Sequence, residues 1–329
     1  MTPNRRAAVA VAALAIVMGS LFLTTYTLAL GDPVPHRIDA ALVGDAAQHP
    51  RALDAVQRTA DGSLSFQRYE SVAGARDAID RQRVYAALDL KSTRPTLYVA
   101  SAAGTSVARL LEQVSATDSR VRVVDTHPLS PSDPNGLDIF YLMLVATIIS
   151  FIAVLQVVAN AGGLELRHWT AWIAGFALTA ALALTLTIGP VLDRFDVPVA
   201  ETWGILALHI VAVTSFASAM AVLFGRWAIV PVWLFFVVLG NSSSGGAVSP
   251  PLLQEPFAFV SQWLPSGATV SSLRDAIYFP SYQHGRPLIV LTVWATVLFA
   301  GMIVARRRPI ERGRPPWPRR RRPPARPAR

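Results

Sequence analysis

WAIVPVWLFFVVLG, residues 227–240, is an apolar run of 14 residues that carries Pro231 and is followed by NSSSGG (241–246). A helix needs roughly 17 to 25 apolar residues to cross about 30 Å of hydrocarbon. The run is therefore either completed by the small polar residues after it or broken partway across. Which of the two holds decides whether the chain crosses a membrane five or six times, and so which side its loops face.

Five other segments are long and apolar: 7–30, 139–161, 171–192, 203–224 and 288–305. With 52% apolar residues over 329 positions, the chain reads as an integral membrane protein and not as a soluble domain. The first segment follows Arg5 and Arg6 like a secretory signal, but it is longer than the roughly 7 to 15 residues of a signal core. Thr27-Leu28-Ala29 is also a weak cleavage site, so an uncleaved anchor is expected.

Basic residues in short loops face the cytoplasm. Arg5 and Arg6 precede the first span, Arg167 and His168 lie between the second and third, and Arg226 lies between the fourth and fifth. After the sixth, ARRRPIERGRPPWPRRRRPPARPAR carries eleven arginines against one glutamate, which accounts for the whole formal net charge of +9. Both termini on the cytoplasmic side require an even number of crossings, so the short fifth segment is expected to cross. The expected fold is an α-helical integral membrane protein with six transmembrane helices and a small extracytoplasmic α/β domain between the first and second. Its parts are a cytoplasmic end and first helix (1–30), the α/β domain (31–138), a five-span bundle (139–305) with an external re-entrant or amphipathic segment at 247–282, and an Arg/Pro-rich cytoplasmic tail (306–329).

Within 31–138, IDAALVG (38–44), LSFQRYE (64–70), VYAALDL (84–90), TLYVAS (96–101) and VRVVDT (121–126) predict strands. Helical patterns fall at about 48–60, 71–82 and 103–117, and PLSPSDPNG (128–136) blocks helix before the second span.

The chain offers little chemistry of its own. It has no cysteine, which removes disulfides, thiolate nucleophiles and Cys-ligated metals. Its histidines are scattered at 36, 49, 127, 168, 209 and 284 with no HExxH, so no metal site is expected. GNSSSGG (240–246) fails the GxSxG spacing of a hydrolase elbow and reads as a small-residue helix exit. The only lysine, Lys91 in DLKST, is not in a P-loop, so ATP hydrolysis would have to come from a partner. No cofactor is expected, and the chain by itself is not expected to be an enzyme.

Inside the spans Gln156, Asn160 and His209 stand out, either as interhelical hydrogen-bonding groups or as lining for a substrate path. The arginine-rich tail suits anionic lipid, at about 1 kcal/mol per basic residue. Nucleic acid is not expected, since only Trp317 there could stack on a base. In LPSGATVSSLRDAIYFPSY (264–282), Val270, Leu273 and Ile277 recur at helical spacing while Ser271, Ser272, Arg274 and Asp275 fall opposite, which describes a short amphipathic helix at a boundary.

This layout resembles the type-2 permease subunits of bacterial ABC exporters, in the actinobacterial branch related to the YhgE/Pip membrane proteins. The likeness is carried by SVAGARDAIDRQRVYAALDL (71–90), TLYVASAAGTSVARLLEQV (96–114), NSSSGG through SPP (241–251) and LPSGATVSSLRDAIYF (264–279), and it covers most of residues 8–304. It implies a permease homodimer or heterodimer in the bacterial plasma membrane that docks a cytoplasmic ATP-binding cassette ATPase. The docking loop would be GGLELRHW (162–169), with Glu165, Leu166 and Arg167 at the contact. It also implies that 264–279 is an outer lid, with Leu273 and Ile277 on lipid or bundle and Arg274 and Asp275 in water. The long Arg/Pro tail departs from the family's pattern. Because relatives include surface receptors and secretion accessories, a receptor acting through the extracytoplasmic domain is the alternative reading.

Overall fold

The structure, a computed structural model, describes residues 3–31 and 33–307; the tail beyond Arg307, including Trp317, lies outside the described residues. The chain is mostly helical with one small sheet, and five helices are long and apolar enough to cross a membrane. These are α1 (Pro3–Leu30), α6 (Asp138–Ala161), α7 (Leu166–Leu186, continued in wider turns to Val191), α8 (Val199–Phe224) and α12 (Gly285–Arg307).

The run that opened the sequence analysis is the exception. It forms α9 (Ile229–Val232), whose first turn tolerates Pro231 because an N–H there has no intrahelical partner anyway, and then wider i→i+5 turns over Trp233–Asn241. Thirteen residues of helix rise only about 20 Å, short of the hydrocarbon thickness. The helix breaks off at Asn241, inside the bundle, where Asn241, Ser242, Ser243 and Ser244 are all buried. The chain continues to Gly246, which lies against Phe140 in the first turn of α6.

Between α1 and α6 the chain forms β1 (Ile38–Val43), α2 (Pro50–Thr59), β2 (Leu64–Tyr69), α3 (Val72–Asp80), β3 (Ala86–Asp89), β4 (Thr96–Val99), α4 (Thr105–Glu112), α5 (Val114–Thr117) and β5 (Arg122–Asp125). The sheet order is β2-β1-β3-β4-β5, parallel except for the antiparallel β3–β4 pair, in which Ala86 stands opposite Val99. That hairpin explains the lone lysine's neighbourhood. Asp89 accepts hydrogen bonds from Lys91 N (2.9 Å) and Ser92 Oγ (2.5 Å), a local Asx-type turn, and Lys91 Nζ donates to Glu70 O at 2.6 Å.

Strand alternation divides the domain's interior in two. Ile38, Ala40 and Leu42 face Ala52 and Val56 of α2 and Val107 and Leu111 of α4. Ala41 and Val43 face Ala75, Ala78 and Ile79 of α3. Each half is completed from the bundle sequence: Leu252 joins the first and Phe279 the second. The α/β domain therefore does not close its core alone.

In the bundle, α8 is the most buried span and packs against α6, α7 and α12. Helix α1 stays peripheral and reaches the broken run through Phe22 against Trp233, with ring centroids 6.0 Å apart, and through Tyr26 beside Asn241. Between the broken run and α12 lie two short helices, α10 (Phe257–Ser261) and α11 (Pro265–Tyr278). They form a re-entrant pair. Trp294 Nε1 donates to the Trp263 carbonyl at 2.7 Å, and Trp294 lies nine residues along α12, about 14 Å from its start. The turn between α10 and α11 thus dips to roughly half the depth of the bundle.

Candidate functional site

The dip ends at His209. Lying ten residues into α8, about 15 Å from its start, the ring is fully buried, with Nε2 2.8 Å from Thr147 Oγ1 of α6 and Nδ1 2.9 Å from Thr269 Oγ1 of α11. Both threonines also sit within reach of carbonyls four residues back: Met143 O at 3.0 Å and Pro265 O at 2.7 Å. A neutral imidazole has one N–H and one acceptor nitrogen. One threonine therefore donates to the ring and the other accepts from it, so His209 ties α6, α8 and α11 together in either tautomer.

Along these helices the buried polar surface is larger than its hydrogen bonding. Thr202 Oγ1 and Ser215 Oγ of α8, both polar atoms of Asn241, Ser243 Oγ, and Ser266 Oγ and Ser272 Oγ of α11 are buried without a partner. The segments approach closely here: a Cβ on Gly240 would fall 2.6 Å from Ser266 Oγ. Lipid cannot satisfy such groups, and burying each one dry costs several kcal/mol.

The domain-side end of α11 corrects the amphipathic reading of 264–282. Leu273 is fully buried in the bundle core and Ile277 is half-buried against it, so of lipid or bundle the apolar side meets the bundle; the polar side is the one that departs from expectation. Ser272 and Asp275, placed on the wet side by periodicity, are buried as well. Asp275 accepts from Gln82 Nε2 of the α/β domain at 2.6 Å and from His284 N at 3.0 Å. Burial pushes its carboxyl up, against the opposing effect of these two hydrogen bonds. Arg274 is half-buried rather than in open water, and its Nη2 donates to Gly245 O at 3.2 Å. Flanking contacts fasten the same face: His127 stacks on Phe279 at 4.7 Å, Arg81 lies over Tyr282 at 4.6 Å, and Ser106 Oγ donates to Ser249 Oγ at 2.7 Å. Arg194, between α7 and α8, pairs with Asp138 at the start of α6, and its carbonyl accepts from Ser130 and Ser132 of the domain. The periodic pattern was amphipathic, but the partner of its polar side is protein.

The remaining sequence candidates do not join this site. Gln156 and Asn160 are exposed on α6, and Asn160 Nδ2 bonds back to Gln156 O at 2.8 Å, so within one chain they line nothing. At the far end, Glu165 and Arg167 are exposed and paired with each other at 2.8 Å, with Leu166 half-buried between them. Beside this loop, Trp169 is fully buried, donates to Ser218 Oγ at 3.1 Å and lies under the Arg306 guanidinium at 3.6 Å. Sequence reasoning passed over Thr147, Thr269 and Gln82, because threonines in an apolar helix and a glutamine after a short helix carry no local mark. One signal exists for Gln82: its φ is 50°, in the left-handed position after α3 that glycine usually fills.

The prominent clefts lie on the α/β domain and at its junction with the bundle, where Ser106, Arg109, Asn135, Ala247 and Leu252 line a hollow of about 370 Å³. Among the described residues no group of acidic, histidine or cysteine side chains could hold a metal ion. Compared with known proteins, the chain matches no family model, no curated protein and no solved structure.

Proposed function

We propose that this chain is the membrane-spanning permease subunit of an exporter, energised by a separate cytoplasmic ATP-binding cassette ATPase and working as a homodimer or heterodimer in the bacterial plasma membrane. The observation that carries the reading is the re-entrant pair α10–α11 reaching the buried His209 node beside a span that breaks off at Asn241. Broken helices and irregular backbone at membrane depth belong to proteins that surround a path, because elsewhere the freed polar groups would meet lipid. On this reading the 229–246 run completes a sixth crossing, both termini face the cytoplasm, the α/β domain faces outward and the tail lies on anionic lipid. The common end shared by the domain, Arg194 and the 245–284 segment supports that orientation, since the loops lacking a basic excess gather there.

Single cysteines at Ser63 and Ser119, introduced into this cysteine-free chain, are expected to react with an impermeant thiol reagent on intact cells. Cysteine in place of Ala305 should stay protected. Protection at both domain sites would reverse the orientation.

Coupling is assigned to Glu165, Leu166 and Arg167, which project from the far end next to the Trp169–Arg306 stack. The exposed Glu165–Arg167 pair itself adds only about 0–1 kcal/mol to stability, so replacing both with alanine leaves the fold intact. If the two charges contact an ATPase, its recovery with the purified chain should fall about tenfold, equivalent to about 1.4 kcal/mol. Undiminished recovery would remove this loop from the interface.

A second reading, a surface receptor or secretion accessory, is favoured by one observation: the α/β domain carries an open cleft lined by His49, Arg51, Arg94, Asp118 and Arg120. It requires no ATPase, and co-purification in mild detergent separates the two.

A further inference from the structure

We infer that the unpartnered polar groups of Thr202 on α8, Ser266 and Ser272 on α11, and Asn241 and Ser243 line a charge-free polar path that holds water and runs from the domain end of the bundle to His209. This deepens the permease reading and rests on it for the path's use, though its test requires no ATPase.

Position is the first argument. Ser272 lies one turn below Asp275 on α11, Thr269 reaches His209, and Ser266 is pressed against Gly240 beside Asn241. On α11, Thr269 therefore meets α8 and Ser266 meets the broken span. Hydrogen bonding is the second. A serine hydroxyl in a helix can rotate onto a carbonyl four residues back, as Ser150, Ser218 and Ser242 do. Asn241 has no such escape: a primary amide offers two donor hydrogens and an acceptor oxygen, and at 1% exposure neither its nitrogen nor its oxygen has a partner at full hydrogen-bond geometry, the Tyr26 side chain of α1 being the polar group beside it. Buried groups of this kind in natural proteins are met by water, which needs two to four polar partners. Asn241, Ser243 and Ser266 lie on the two segments that meet at Gly240.

Charge is the third argument. The path holds Thr, Ser, Asn and His side chains, while the ionisable residues Arg274 and Asp275 stand only at its mouth, tied to Gly245 O and to Gln82. A bare ion inside would find no counter-charge. The path suits water and uncharged hydrogen-bonding groups.

The test places single cysteines at Ser272 on α11 and at Ser243 after the broken span, in the full-length chain in lipid nanodiscs, and follows their reaction with a small water-soluble thiol reagent. Cysteine at Val293, half-exposed on the lipid side of α12, sets the rate for a membrane-facing site, and Ser119 on the domain sets the aqueous rate. Both path positions are expected to react about tenfold faster than Val293, the ratio given by a barrier difference of about 1.4 kcal/mol. Rates at or below that of Val293 at both positions would overturn the proposal. The unfolding midpoint of Asn241→Leu gives an independent reading. A dry orphaned amide predicts a rise and would also overturn it, whereas a hydrated amide predicts no change or a fall. A chain that recruits no ATPase but passes both tests would sink the exporter reading and leave the path standing.

Discussion

Replacing Asp275 with alanine is expected to loosen the α/β domain from the bundle and to destabilise the chain by about 1.5–3 kcal/mol for each hydrogen bond to the carboxylate that is lost. The carboxylate is 3% exposed and receives Gln82 Nε2 and His284 N, and hydrogen bonds to a charged group contribute about 1.5–3 kcal/mol each. Its loss leaves the half-buried Gln82 amide without its partner in the bundle and removes a negative charge beside Arg274. Asp275→Asn keeps the shape and one acceptor oxygen, so it should fall between alanine and the unchanged chain. Gln82→Gly is the complementary variant, relieving a left-handed backbone that favours glycine while removing the hydrogen bond that crosses to the bundle. Thermal unfolding and limited proteolysis of the stretch around PLSPSDPNG read the outcome. A midpoint and digestion pattern unchanged by Asp275→Ala would mean that this carboxylate is solvated and that the domain is held by other contacts.

The second large effect is expected from one methyl group. In Gly267→Ala the new Cβ would collide with the Ser261 carbonyl oxygen and fall 2.9 Å from its carbon, and both are backbone atoms that cannot swing aside. Overpacking of a tight core costs about 1–3 kcal/mol when neighbours can adjust. Here the turn joining α10 to α11 must open, which withdraws Thr269 from His209, so the loss should lie at or above the top of that range. Gly175→Ala and Gly204→Ala provide the contrast: no atom lies within 4 Å of a Cβ at either, and alanine in a helix interior should gain about 0.5–1 kcal/mol. Monodisperse yield in detergent and the unfolding midpoint decide the matter. If Gly267→Ala behaves like the two controls, α10 and α11 do not pack as closely as described.

These two sites also show why the re-entrant pair was only half legible. Its existence could be read, since LPSGATVSSLRDAIYF has helical periodicity and is too polar to span. Its surroundings could not. Periodicity separates apolar from polar faces, and the usual inference sends the polar face to water. In this chain the α/β domain lies over that face, so Asp275 meets Gln82, 193 residues earlier in the sequence. No local pattern marks a contact at that separation.

The same division runs through the molecule. Composition and hydropathy alone determined that the chain is a helical membrane protein with a small α/β insertion, because long apolar runs favour a bilayer over water and short apolar runs bounded by turn residues, buried on both faces, must pair in a sheet. The five strand readings in 31–138 coincide with the five strands of the sheet for that reason. Local chemistry also flagged Pro231 and the short fifth run as the irregular place. Tertiary structure alone decided what that irregularity serves: it brings Asn241 and Ser243 into the bundle, seats α11 beside them, and joins His209 to Thr147 and Thr269. It also moved Gln156 and Asn160 out of the picture, onto the surface of α6. The physical reason is that hydrophobic burial is a property of each segment and can be summed along the chain. A buried hydrogen bond is a property of a pair, and only the fold chooses the partner.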